Sequence, residues 1–118
     1  MASRSVTVVI KNATFSDDMT LLSSSLSHGE WDVQPPAVIA PGLVAAWTSQ
    51  SDGFMTGTQG TAQFRVGNNP SSILTLNWDN PYVGSNSYNA AVPPPFFTEY
   101  HGGPGDNSFI VWHVHRSG

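Results

Sequence analysis

Trp47–Tyr88, WTSQSDGFMTGTQGTAQFRVGNNPSSILTLNWDNPYVGSNSY, is the stretch on which the fold turns. In Thr61-Ala62-Gln63-Phe64-Arg65-Val66 the apolar Ala62, Phe64 and Val66 alternate with polar neighbours. From Ile73 to Trp78 the set Leu74, Leu76 and Trp78 falls on one side and Ile73, Thr75 and Asn77 on the other. A period of two marks a strand with one buried face. Gly67-Asn68-Asn69-Pro70 between the runs is turn chemistry, so the pair predicts an antiparallel hairpin. Ahead of it, Gly53, Gly57 and Gly60 supply the positive φ that sharp bends need. Behind it, Asp79 to Asn89 is too rich in turn formers for a helix and is expected to be irregular. Aromatic faces with amides and hydroxyls around them suit a polar headgroup or a sugar. The expected ligand-binding set is therefore Trp78, Asp79, Asn80, Tyr82, Asn86, Tyr88 and Asn89, joined by Trp47 and a partly exposed Trp31.

Outward from this stretch the same reading continues. Ser5 to Lys11 alternates and is rich in β-branched residues, which favours a strand. Met19–Leu22 and His28–Val33, the latter entered through Gly29, predict two more, with Ser23 to Ser27 on a polar edge or loop. Val38-Ile39-Ala40 is a short apolar piece before a Pro41-Gly42 turn. Leu43–Thr48 reads as a strand with Leu43, Ala45 and Trp47 on one face. Ala90–Pro95 is an extended, polyproline-like link too short to separate domains. Phe96–His101 predicts a strand, Gly102–Asn107 breaks it, and Ser108–His115 gives the clearest alternation, with Ile110, Trp112 and Val114 as core. Nine prolines and eleven glycines leave no window of helical period. Short strands and regular turns predict an all-β chain, a single-domain antiparallel β-sandwich over residues 1–118 with Gly/Pro-rich loops.

Charged residues make up 10% of the chain, against about 25% in typical domains, and Ser, Thr, Asn and Gly replace them. Arg4, Lys11, Arg65 and Arg116 are scattered and the net charge is −4. Phosphate neutralisation needs clustered Lys and Arg, so neither nucleic acid nor a polybasic contact with anionic lipid is expected. Cysteine is absent, which removes disulfides and thiol chemistry and fits a cytoplasmic protein or one secreted without a visible signal peptide. The apolar run near the N-terminus is too short for a signal core or a membrane span.

The catalytic inventory is thin. No Gly-x-Ser-x-Gly elbow holds a serine, the acids do not pair except at Asp17-Asp18, and the 53–60 glycines lack the following Lys and helix of a phosphate loop. No enzymatic activity is expected. His113 and His115, two apart on a strand, share a face at acceptable metal-ligand spacing. No third ligand is tied to them by sequence, and Phe109 and Val111 beside them favour packing or exposure at an edge. Neither a metal nor a cofactor is expected.

Ser49-x-Ser51-Asp52 followed by Thr56-Gly57-Thr58-Gln59-Gly60-Thr61 resembles the Ser-Asp…Gly-Thr-Glu/Thr-Gly-Thr segment of aegerolysins, small fungal and bacterial proteins that bind membrane sphingolipids. A Val-rich first strand ending in Asn12, the Pro41-Gly42 turn, and Trp78-Asp79-Asn80-Pro81-Tyr82 in place of Trp-Asp-Cys-Pro-Trp follow in family order. The chain departs from the family in its shorter length, in Asn80 where cysteine stands, in Pro93-Pro94-Pro95 and in its His-rich end. The Trp78–Asn89 segment is also similar to the phosphocholine-holding Val-Pro-Tyr…Tyr-Ser-Asn segment of actinoporins. The resemblance implies a β-sandwich that recognises a sphingolipid headgroup without catalysis and associates peripherally with membranes. It further implies a separate pore-forming partner protein, as in a cytolysin's targeting component; apart from the resemblance, the low charge would let the chain associate with itself as a homo-oligomeric assembly module. An N-terminal strand leaves no room for an actinoporin-like inserting helix. The alternative from another class is a carbohydrate-binding lectin of related fold, with a glycan as partner.

Overall fold

The hairpin predicted at the centre of the chain forms, and two five-stranded sheets are built around it. The computed structural model describes residues 2–117. The strands are β1 (Ser5–Ala13), β2 (Met19–His28), β3 (Glu30–Val33), β4 (Val38–Ile39), β5 (Val44–Gln50), β6 (Thr58–Val66), β7 (Ile73–Asn80), β8 (Ser87–Ala91), β9 (Phe96–Gly102) and β10 (Asn107–Arg116). Sheet A has the order β3-β5-β1-β10-β9 and sheet B the order β4-β2-β6-β7-β8. Among the described residues there is no helix, and so none long and apolar enough to cross a membrane.

Each sheet turns its apolar register inward. Val6, Val8 and Ile10 of β1 and Ile110, Trp112 and Val114 of β10 meet Ala62, Phe64 and Val66 of β6 and Leu74 and Leu76 of β7 in one core. Burial of alternate side chains from two faces is the driving force of a β-sandwich. One pairing departs from the antiparallel expectation, because β1 and β10 run parallel from Ser5↔Asn107 to Ala13↔His115. They stand at opposite ends of the chain, so no tight turn has to reverse one against the other.

Local departures have local causes. Ser23–Ser27 continues β2 as a polar edge, since β4 covers only Met19 and Thr20; two bulges bend it. Gly29, at φ +97°, turns the chain from sheet B into sheet A, so the third strand starts at Glu30 and not at His28. Leu43 is exposed and lies outside β5, while Trp47 faces the core. The segment expected to be irregular is only partly so. β7 runs on to Asn80, and Ser87–Ala91 forms β8 because Trp78↔Tyr88 and Asn77↔Asn89 pair across the sheet.

Aromatic rings join the layers. Trp47 of sheet A lies 6.0 Å from Trp78 and 5.8 Å from Phe64 of sheet B, and Trp31 covers Trp78 at 6.1 Å. The Trp78 indole N–H donates across the sandwich to Ser49 Oγ at 2.9 Å, and the Thr58 hydroxyl lies 2.9 Å from the same oxygen. The Trp47 indole N–H is equally buried and has no partner. At the β8 edge, Tyr88 packs edge-on against Trp112 at 6.3 Å, and its hydroxyl donates to the Gly103 carbonyl at 2.7 Å while sharing a 2.8 Å hydrogen bond with Ser108 Oγ.

These contacts set two expectations. Trp78→Phe and Trp47→Phe contract the same ring, but only the first removes a buried hydrogen bond, so it is expected to be the more destabilising by about 1–3 kcal/mol in urea denaturation; equal losses would contradict the cross-sheet bond. Burial raises the Tyr88 phenol above its ordinary value of 10.0. The unfolded chain then gives up that proton first, so stability present below about pH 10 is lost as pH rises further. Tyr88→Phe should flatten that alkaline loss while lowering stability at neutral pH, both read from chemical denaturation across pH.

Candidate functional site

Nine strand ends meet at one pole of the sandwich: the starts of β1, β3, β6, β8 and β10 and the ends of β2, β5, β7 and β9. The loops between them, Ser51–Gly57, Pro81–Asn86 and Gly103–Asp106, form an irregular cap held from beneath by amides. Asn80, 1% exposed, donates through Nδ2 to the carbonyls of Asp106 at 2.8 Å and Ser5 at 3.0 Å. Asn86 Nδ2 donates to the carbonyls of Gly103 at 2.8 Å and Gly105 at 2.9 Å. A glycine-rich turn exposes carbonyls that no ladder satisfies, and these side chains satisfy them. Gly57 brings the first two loops together, since a Cβ there would stand 2.6 Å from the Asn80 carbonyl oxygen and 2.7 Å from Pro81 Cα.

Arg4 enters this cap from the N-terminal side. Its guanidinium lies 4.6 Å above the centre of the Tyr82 ring, donates through Nη2 to the Tyr82 carbonyl at 2.8 Å, and stands 3.6 Å from Asp106 Oδ1. Tyr82 forms the wall between two open clefts. One, of about 700 Å³, is bounded by Arg4, Asn86, Tyr88, Tyr100 and Asp106. The other, of about 580 Å³, is bounded by Glu30, Gln50, Asp52, Phe54 and Met55. Asp106 keeps 71% of its side chain exposed, and Arg4 keeps 17%. A cation and an anion thus stand side by side over an aromatic floor, which is suited to a ligand carrying both charges.

Above the clefts the cap is apolar. Phe54 is 90% exposed, Val83 84% and Met55 55%, on the tips of two adjacent loops. Met55 adopts φ +58°, a left-handed turn that helps form the tip of its loop.

The expected ligand-binding residues separate into three groups. Tyr82, Asn86 and Tyr88 line the larger cleft, as does Asn80 from beneath, although the amide donors of Asn80 and Asn86 serve the glycine loop. Trp78 and Trp47 are interior, at 1% and 0% exposure, and correct the reading of them as ligand contacts: their rings fill the space between the sheets. Trp31 is half-buried against Trp78, and Asp79 and Asn89 border a shallow hollow that adjoins the larger cleft at Ser87 and Tyr88. Arg4, Asp106, Phe54, Met55 and Val83 were not foreseen. Phe54-Met55 between Gly53 and Gly57 could have been read as an apolar loop tip; nothing local marks Arg4, whose partners lie far along the chain. His113 and His115 do share a face, their rings stacked at 6.1 Å, and among the described residues no three His, Asp or Glu side chains converge as a metal site.

Comparison with known proteins bears on this arrangement. A crystal structure of Nakanori, described as a lipid binding protein, aligns with a TM-score of 0.85 over 98% of this chain and 73% of its own, at 13% identity. RahU, crystallised with a Tris molecule, aligns at 0.83 over 100% of this chain and 98% of its own, at 14% identity. IP-1A from Alcaligenes faecalis aligns at 0.76 over 99% of this chain and 94% of its own, at 16% identity. These are likenesses of fold. An uncharacterized Dictyostelium discoideum protein is 29% identical over 97 residues, 82% of this chain, which spans only 9% of that relative's length. A model of the aegerolysin family matches residues 3–98, from just before β1 through the Ser49–Thr61 motif into β9, and the chain belongs to the aegerolysin family.

Proposed function

We propose that this protein binds membrane lipid without catalysis, docking cap-first so that Phe54, Met55 and Val83 enter the interface while a headgroup settles against Tyr82. One observation carries the reading: exposed apolar loop tips and a paired cation and anion stand at the same pole of the molecule. Apolar rings gain free energy in the interfacial region, and polar groups beneath them choose the headgroup. Arg4 faces a phosphate, and Asp106 with the tyrosine rings faces an ammonium, so a zwitterionic phospho-headgroup is the class favoured. Membership of the aegerolysin family and the fold shared with the lipid-binding Nakanori support lipid as the ligand, and within lipids a sphingolipid is the finer proposal. Peripheral attachment and a role as the targeting component of a cytolysin acting with a separate pore-forming partner follow from the same reading.

A glycan is the second reading, favoured by Tyr100, 63% exposed at the edge of the larger cleft beside Asp106, where a sugar ring could stack. Co-sedimentation with vesicles of phosphatidylcholine, sphingomyelin or ceramide phosphoethanolamine, each with and without sterol, separates the two. Binding to a sphingolipid vesicle, lowered roughly tenfold or more in a Phe54→Ser/Met55→Ser/Val83→Ser variant with unchanged melting, is the expected result. Absence of binding to every vesicle, with a signal on a glycan array, would replace lipid by sugar.

A further inference from the structure

The two outer faces of the sandwich differ in kind. On sheet B the outward side chains bond one another: Thr61 to Asn77 at 2.7 Å, and Ser23 through Gln63 to Thr75 at 3.3 and 3.2 Å. That face is polar and self-satisfied. On sheet A the outward positions of the two central strands, β1 and β10, include Val9, Val111 and Phe109, the last 61% exposed, and Phe97 on β9 is 42% exposed. Beside them run three imidazoles, His101, His113 and His115, with ring centres 5.4 and 6.1 Å apart, and Phe97 stacks on His115 at 5.0 Å. Val9, Val111 and Phe109 adjoin one another and Phe97 lies beyond the imidazoles, so the face offers exposed apolar side chains that a partner can cover.

We propose that the outer face of sheet A binds a second copy of this chain, face to face about a two-fold axis parallel to β10, and that acid separates the pair. The register chooses both occupant and axis. One cross-strand row carries Lys11 on β1, His113 on β10 and Glu99 on β9. A two-fold along β10 lays β1 over the partner's β9, so Lys11 meets Glu99 of the partner subunit and the central β10 residues meet their own copies. The next row, Ala13–His115–Phe97, sets the small Ala13 against Phe97 of the partner subunit. An axis across the strands would instead lay β1 on β1 and keep Lys11 and Glu99 apart. Three strands, β1, β10 and β9, overlap about that axis; spaced by about 4.8 Å, with seven residues rising by about 3.3 Å, they give a footprint near 14 by 23 Å. Doubled, that covers on the order of 650 Å², below the size of stable specific interfaces, so the pair is weak and concentration-dependent.

The imidazoles make the contact sensitive to acid. The groups facing them are Lys11 from β1, Glu99 from β9, whose carboxylate is 3.6 Å from His115 Nε2, and Arg116 at the end of β10, itself tied to Asp17 at 2.9 Å. Neutral rings stack with each other and with Phe97. Protonated rings repel their neighbours and their symmetry copies, and draw Glu99 back to its own chain. Charge on an imidazole costs more on a covered face than on an open one, so acid favours separate copies. Rotation about an axis along the strands also preserves strand direction. Both caps therefore point the same way, and two docking ends can meet one surface.

Sedimentation velocity of the full chain in lipid-free buffer tests this. A reversible dimer is expected at about pH 8, weakened roughly tenfold or more at about pH 5.5. Val111→Asp should give a monomer with unchanged melting. Glu99→Lys should weaken the pair, and adding Lys11→Glu should restore it. A monomer at every concentration at the higher pH, a dimer indifferent to acid or to Val111→Asp, or failure of the charge exchange to rescue would each overturn the proposal.

Discussion

The lateral register of the two sheets depends on hydrogen bonds that cross between them, first among them one buried beneath the cap. Trp78 belongs to sheet B and Ser49 to sheet A, and the 2.9 Å bond between indole N–H and serine oxygen fixes the layers in lateral register near the cap. Apolar packing alone is non-directional and would let two sheets slide; a buried donor with one acceptor in reach does not. Thr58 stands 2.9 Å from the same oxygen and 3.2 Å from the His28 carbonyl, so β2, β5, β6 and β7 are joined through one buried polar cluster. Gly60 makes room for it, since a Cβ there would strike the Trp78 ring and Leu26.

This cluster changes what the Ser49–Thr61 motif means. Its residues carry the sequence resemblance to the family, yet Ser49, Thr58 and Gly60 are interior, and Gly57 holds one loop against another. The motif is a specification of the scaffold beneath the cap. The surface that meets a ligand is carried by loops above it, where side chains are free of packing constraints and chemistry can vary without loss of the fold.

The same division places the asparagines. Asn80 and Asn86 lie in the region a ligand would enter, and their amide donors are occupied by the carbonyls of the 103–106 turn. They hold the 103–106 turn in position, and Arg4, Tyr82 and the loop tips are the contacts proposed for a ligand. With a long axis of 46 Å along the strands, the cap and the outer face of sheet A point in different directions, so docking and lateral association can occur together.

Alternation in Ala62–Val66, Leu74–Trp78 and Ile110–Val114 was enough to establish an all-β chain, the central hairpin and most of its core, because a period of two leaves one solution for which face is buried. Turn residues marked the breaks between strands. The sequence could not say that β1 and β10 lie parallel, that Tyr88 and Asn89 form a strand, or that Trp47 and Trp78 fill the interior, since each depends on a neighbour brought from elsewhere in the chain. The site was legible only in part for the same reason. Tyr82 stood out as an aromatic in a turn-rich segment, whereas Arg4 acquires its role from Tyr82 and Asp106, residues that only the folded sandwich places beside it.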